Sequence, residues 1–177
     1  MRGAAYDAFV EEFVQAVKKV FPHALLQWED FKKANAFRLL ERYAGRLPSF
    51  NDDIQGTSAV TLAGILSGLR LTGQKLRDQR FLFVGAGAAG VGIGKLVRTA
   101  MRAEGLSAAE ARLRQVFIDS RGLVQKNQPD LDQHKQEVAL SAEELVGLGL
   151  KAPLPSDLAS TIGAVKPTVL IGTSGQP

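Results

Sequence analysis

Phe81-Leu82-Phe83-Val84 is an uninterrupted apolar run, and it ends directly on Gly85-Ala86-Gly87-Ala88-Ala89-Gly90. A short run with no polar alternation fits a strand buried on both faces of a parallel sheet. The glycines follow the spacing G-x-G-x-x-G. The first makes the tight turn that leaves the strand. The second lets the backbone approach a pyrophosphate, and the third lets helix and strand pack closely. Alone this pattern is weak, because Gly/Ala turns are common. Here it follows an expected strand and opens an expected helix, about Ala88 to Glu104. That context makes all six residues candidates for holding a dinucleotide.

The rest of this half supports the same fold. Val116 to Asp119 and Thr168 to Gly172 read as further strands. Ser107-Ala108-Ala109-Glu110 and Ser141-Ala142-Glu143-Glu144 have capping-box spacing and open short helices. Asp157 to Val165 reads as another helix, stopped by Pro167. Strands alternating with helices imply an α/β fold: a Rossmann-like, mostly parallel sheet with flanking helices. Ligands bind off the carboxyl ends of such strands, an edge that Gly85, Asp119 and Gly172 would share. Asp119 is placed to bind adenine-ribose hydroxyls. It comes later than the usual spacing of about 20 residues, and an inserted helix over Leu106 to Arg114 accounts for the delay. Arg121 and Lys135, near Ser120, could receive a ribose 2′-phosphate.

The first half carries a different signal. An amphipathic helix is expected from Tyr6 to Val20, with Phe9, Phe13, Ala16, Val17 and Val20 at helical spacing and Pro22 ending it. A short strand, Ala24 to Trp28, then runs into Glu29-Asp30. Asp30 could cap a helix over Phe31 to Tyr43. A second apolar stretch, Leu47 to Phe50, runs into Asn51-Asp52-Asp53-Ile54-Gln55-Gly56-Thr57. Gly56-Thr57 opens an apolar helix to Leu69, and its lack of charge before Arg70 implies burial on most sides. The polar stretch Leu71 to Gln79 suggests a connector. It divides the chain into a helical, short-strand metal-site segment (1–70) and a dinucleotide-binding segment (71–177).

Glu29, Asp30, Asp52 and Asp53 are hard oxygen donors, suited to Mg²⁺ or Mn²⁺. Singly, each acidic pair reads as a helix cap or solvated turn. Both pairs end apolar stretches, which favours one shared site. Their convergence depends on tertiary structure that spacing does not supply.

Composition removes several alternatives. The 177 residues include no cysteine and two histidines, His23 and His134, so thiolate and all-histidine zinc sites are excluded. No apolar run reaches the roughly 18 residues of a membrane helix, and the amino terminus lacks the apolar core of a signal peptide. A cytoplasmic location is the expectation. The net charge of +4 is dispersed among both signs, which argues against a nucleic-acid partner.

Taken together, Leu26-Gln27-Trp28-Glu29-Asp30-Phe31, Asn35-Ala36-Phe37-Arg38-Leu39-Leu40 and Phe50-Asn51-Asp52-Asp53-Ile54-Gln55-Gly56-Thr57 resemble the malic enzymes. Gly85 to Gly90, Asp119-Ser120-Arg121-Gly122-Leu123 and Lys166-Pro167-Thr168-Val169-Leu170-Ile171-Gly172 continue the likeness in order. It implies oxidation and decarboxylation of L-malate to pyruvate and CO₂, with NAD or NADP and a divalent metal. It implies Glu29, Asp30 and Asp53 as metal ligands and Asp52 as the catalytic aspartate that works beside a lysine base. Thr57 and the glycine turn would contact cofactor phosphates, Asp119 the ribose, and Ser174 and Gly175 the nicotinamide ribose. Ser120 and Lys135 match positions that lean towards NADP.

The family's catalytic tyrosine and lysine belong to an amino-terminal domain, and Tyr6 and Lys18 do not match them. The expectation is therefore a fragment of a homo-oligomeric enzyme, inactive alone. A malolactic enzyme, forming lactate, shares these motifs, and a non-catalytic nucleotide-binding module is a reading of another class. An amino-acid dehydrogenase-like domain would leave the acidic motifs without a role.

Overall fold

Residues 2–31, 33–129, 131–151, 153–155 and 157–174 are described by a computed structural model of the chain. By internal contact the chain divides into two units, Met1–Asp52 and Asp53–Pro177.

The first unit comprises helix α1 (Gly3–Val20), strand β1 (Leu26–Trp28), helix α2 (Lys33–Tyr43) and strand β2 (Ser49–Asn51). The strands pair in parallel with Leu26 opposite Ser49, Gln27 opposite Phe50 and Trp28 opposite Asn51. Val10, Val14, Trp28, Leu39, Tyr43 and Leu47 form the core. The Trp28 ring stacks on Tyr43 with centroids 5.5 Å apart and meets Phe31 edge-on at 5.8 Å. Glu11 ties α1 to α2, accepting from Arg42, Arg46 and the Tyr43 hydroxyl.

Those ties decide which face of α1 turns inward. Val14 is fully buried and Val10 nearly so, while Phe9 is 57% exposed and Phe13 and Val20 are also exposed. The stripe expected to be apolar and inward is thus largely outward. Asp7, bonded to Arg38, and Glu11 share the Val10–Val14 side, so their pairing with α2 brings that side onto the core.

In the second unit a four-stranded sheet has the order β5-β4-β3-β6. Strands β3 (Phe81–Val84), β4 (Gln115–Asp119) and β6 (Val169–Gly172) are parallel, and β5 (Gly122–Leu123) returns antiparallel beside β4. Alternation along the strands sends residues to two faces. Leu82, Val116 and Ile118 pack with Leu140, Leu145 and Val165, drawn in part from helices α7 (Ala142–Gly147) and α8 (Leu158–Val165). On the other side Phe83 stacks on Phe117 at 4.3 Å. Helix α4 (Ala88–Ala103) lies there, so close that a Cβ on Gly94 would come within 2.7 Å of the Phe117 ring. Short helices α5 (Ala108–Leu113) and α6 (Gln133–Gln136) also belong to this unit. Both expected capping boxes form, at Ser107 with Glu110 and Ser141 with Glu144.

Helix α3 (Thr57–Thr72) belongs to this second unit. A Cβ on Gly92 of α4 would lie 2.6 Å from the Ile54 carbonyl and 2.8 Å from Ser58 Oγ. That close approach joins α3 to α4, and the division falls at 52/53 where the sequence suggested 70/71. The expected burial of α3 on most sides is not found. Only Ser58 and Leu69 of the helix are buried, and Val60 is 76% exposed. Missing charge is therefore no guide to how much of this helix is covered.

Candidate functional site

In the first unit, the register that sets Trp28 opposite Asn51 makes Glu29 and Asp52 the next residues off the same edge of the paired strands. Two acidic motifs separated in sequence therefore leave parallel strands side by side. Buried Trp28 and fully buried Asn51 anchor the strand ends. The Gln27 amide donates to Glu29 Oε2 at 2.8 Å and orients that carboxylate. Asp30 has φ 57°, a left-handed conformation that is uncommon outside glycine and best tolerated by Asp and Asn. Glu29 and Asp30 are exposed, and each offers a carboxylate oxygen within 4.8 Å of the other.

Asp52 opens a single π-helical turn, Asp52–Gly56, that runs straight into α3. Such turns are rare and concentrate at functional positions. Both Asp52 and Asp53 are half-buried. The helical winding thus starts at Asp52, and its amino-terminal dipole favours carboxylates there. Thr57 lies one turn further in and is half-buried. Among the described residues, oxygen donors of this kind could hold a hard divalent cation.

In the second unit, Val84 lies opposite Ile118 on one side and Gly172 on the other. Gly85, Asp119 and Thr173 consequently leave the sheet at one edge, the carboxyl edge. Gly85 has φ 115°, which excludes a side chain on conformational grounds. Its missing Cβ would lie 2.8 Å from Thr173 Oγ1 and 2.9 Å from the Ser174 amide nitrogen. A Cβ on Gly90 would press into the Gly85 carbonyl and come within 2.8 Å of the same hydroxyl oxygen. A Cβ on Gly87 would meet nothing within 4 Å. So the first and third glycines are required by the chain's own packing, and the second faces open space where a phosphate could approach. Gly87 precedes α4 without a side-chain cap; Ala88 and Ala89 open the helix, and Ala86 is buried. Amides at such a helix start suit an anion.

Asp119 is tightly held. Its Oδ2 receives Lys135 Nζ at 2.5 Å, and its Oδ1 receives the Arg121 backbone N–H at 2.8 Å. The two paired side chains are 11% and 18% exposed. Burial pushes the Asp119 pKa up, but the Lys135 and Arg121 hydrogen bonds outweigh it, so the net shift is downward. The Arg121 guanidinium turns away and donates to the Pro129 carbonyl at 3.1 Å. Ser120 and Ser174 are exposed, and Gly175 lies outside the described residues. Thr173, at the centre of the glycine turn, was not singled out in the sequence. Its only signal is its place directly after a strand that ends on the same edge.

The chain matches the family model described as malic enzyme, NAD binding domain, over residues 54–177, and that described as malic enzyme, N-terminal domain, over residues 1–44. It is 46% identical over 175 residues to the NAD-dependent malic enzyme of Edwardsiella ictaluri, covering 99% of this chain and 31% of that protein. NAD-dependent malic enzyme 1 of Vibrio vulnificus is 45% identical with the same coverage. The chain thus spans about a third of the length of these curated relatives. Among solved structures, the malic enzyme of Entamoeba histolytica superposes with a TM-score of 0.71 at 26% identity, over 95% of this chain and 32% of that one. The NAD-dependent malic enzyme of Thermotoga maritima gives 0.69 at 27% identity, over 93% and 40%.

Proposed function

Because the chain belongs to the malic enzyme family, we propose that it carries the metal-holding and cofactor-holding part of an enzyme that oxidises and decarboxylates L-malate to pyruvate and CO₂. The observation that carries this reading is the parallel register of β1 and β2, which brings Glu29-Asp30 and Asp52 off one edge. In this reading Glu29, Asp30 and Asp53 hold Mg²⁺ or Mn²⁺, and Asp52 holds or moves a proton at its carboxylate. The hard, half-solvated oxygen set fits such an ion. When bound, the cation supplies stabilisation of negative charge on a substrate oxygen, and the nicotinamide cofactor supplies the hydride acceptor. The remaining work belongs to the chain. Gly87 and the α4 amino end receive the cofactor phosphates, Asp119 orients the ribose hydroxyls, and Thr57 and Ser174 border the cofactor. Assembly as a homo-oligomer, acting in the cytoplasm, completes the reading.

NAD is the cofactor this reading takes. Ser120 and Lys135 lean towards NADP in the sequence, but Lys135 is already engaged by Asp119, and the matching relatives carry the name NAD-dependent. A 2′-phosphate would have to draw Lys135 away and face the carboxylate it leaves behind.

Calorimetric titration of the 177-residue chain with NAD, NADP and Mn²⁺ tests these assignments. NAD should bind more tightly than NADP. Asp53→Asn or Glu29→Gln should weaken Mn²⁺ at least about tenfold, since each removes a charged ligand. Gly87→Ala should weaken NAD while leaving urea stability within about 0.5 kcal/mol. A chain that binds neither NAD nor Mn²⁺ sinks the reading.

A further inference from the structure

The glycine turn receives a side-chain hydrogen bond from the residue that follows β6. Thr173 is the first residue after β6, and its amide donates to the Val84 carbonyl at 2.8 Å, closing the β3–β6 ladder. Its hydroxyl donates to the next carbonyl along, Gly85 O, at 3.1 Å. One residue therefore ties two successive carbonyls at the point where the chain leaves β3. Thr173 Oγ1 also sits 2.8 Å from where a Cβ on either Gly85 or Gly90 would be. The absence of side chains at both glycines is what lets this hydroxyl reach the Gly85 carbonyl.

We propose that Thr173 is a positioning residue of the cofactor site: by holding the Gly85 carbonyl it fixes the turn that presents the Gly87 backbone and the first amides of α4 to the cofactor pyrophosphate. This rests on the nucleotide reading given above. A phosphate held by backbone amides depends on the orientation of each peptide plane, and Gly85 and Gly87 restrict their own backbones less than any other residue would. An external restraint on Gly85 supplies the order that glycine lacks. Without it, part of the binding free energy goes to ordering the turn.

Thr173→Val keeps the shape and removes the donor, while Thr173→Ser keeps the donor and removes a methyl. In the full chain, Thr173→Val should weaken NAD about five- to tenfold by calorimetry, the effect of one lost hydrogen bond. Thr173→Ser should stay within about twofold. Amide hydrogen exchange, measured without any ligand, should speed up at Gly85 and Val91, whose N–H groups donate to the Ile118 and Gly87 carbonyls on either side of the turn, in Thr173→Val and not in Thr173→Ser. Unchanged affinity and exchange in Thr173→Val overturn the proposal, as does equal weakening in both variants, which would make the methyl the important group. If the unsubstituted chain binds no NAD, the nucleotide reading fails and the positioning role fails with it. Faster exchange in Thr173→Val would then separate a real turn restraint from an absent cofactor site.

Discussion

At the scale of the residue, Asp119 is a carboxylate at the end of β4 whose bonding capacity is largely taken up by the chain itself. Both its oxygens are bonded within the chain, one of them to an ammonium that the sequence alone made available for a 2′-phosphate. Removing that partner leaves a carboxylate in a largely buried place. Lys135→Met should therefore raise the Asp119 pKa, because burial then acts with less opposition, and NMR titration of the carboxyl carbon reads this directly. The same variant should lose about 2 kcal/mol in urea denaturation, between the values for exposed and buried ion pairs. A pKa that stays put would mean that Lys135 is not the partner that matters. The acidic residues and Asp119 were legible by type and position. The partner of Asp119 was not, because Lys135 reaches it from 16 residues along the chain, and Thr173 reaches the Gly85 carbonyl from 88, through turns and strand pairing that no local pattern encodes.

At the scale of the element, periodicity found α1 and missed its orientation. The helix carries one apolar stripe through Phe9, Phe13 and Val20 and a second through Val10 and Val14. The ion pairs of Asp7 and Glu11 with α2 select the second. Helix α3 gives a similar lesson. Its apolar content suggested burial, yet the contact that matters is the narrow crossing of its start over Gly92. Gly92→Ala should cost about 1–3 kcal/mol, because the added methyl meets a backbone carbonyl that cannot swing aside. Urea denaturation measures it, and a change below about 0.5 kcal/mol would show that α3 yields easily. The strands β3 and β4 were readable because burial on both faces leaves a continuous apolar run, and β6 keeps such a run at the sheet edge although Leu170 is exposed. The three-residue strands of the first unit have too few positions for a pattern: a short apolar run marked β1, and β2 read only as an apolar stretch.

At the scale of the whole molecule, acidity is the condition that tests the charge arrangement. Arg46, with Gln15 and Tyr43, holds Glu11 at a pKa of about 2, and Arg112, with the Ser141 amide, holds Glu144 at about 2. Asp119, Glu110, Glu143 and Asp157 are lowered as well. A carboxyl whose folded pKa lies below its unfolded one adds stability that is complete above the unfolded value. That stability is lost as pH falls through the folded value. Urea stability should therefore hold from pH 7 to about 4.5 and fall steadily towards pH 2. Glu144→Gln should flatten that fall and lower the plateau, and an unchanged slope would remove Glu144 from the account. The sequence by itself determined the α/β class, the glycine turn, the capping boxes and the identity of the acidic motifs, because each rests on neighbours within a few residues along the chain. Only the tertiary structure decided which side of α1 faces inward, where the units divide, that Glu29 and Asp52 follow adjacent strand ends, and that Thr173 bonds the Gly85 carbonyl and Lys135 bonds Asp119. Those outcomes depend on strand register and on contacts between residues as far as 88 positions apart, where no local spacing constrains the choice.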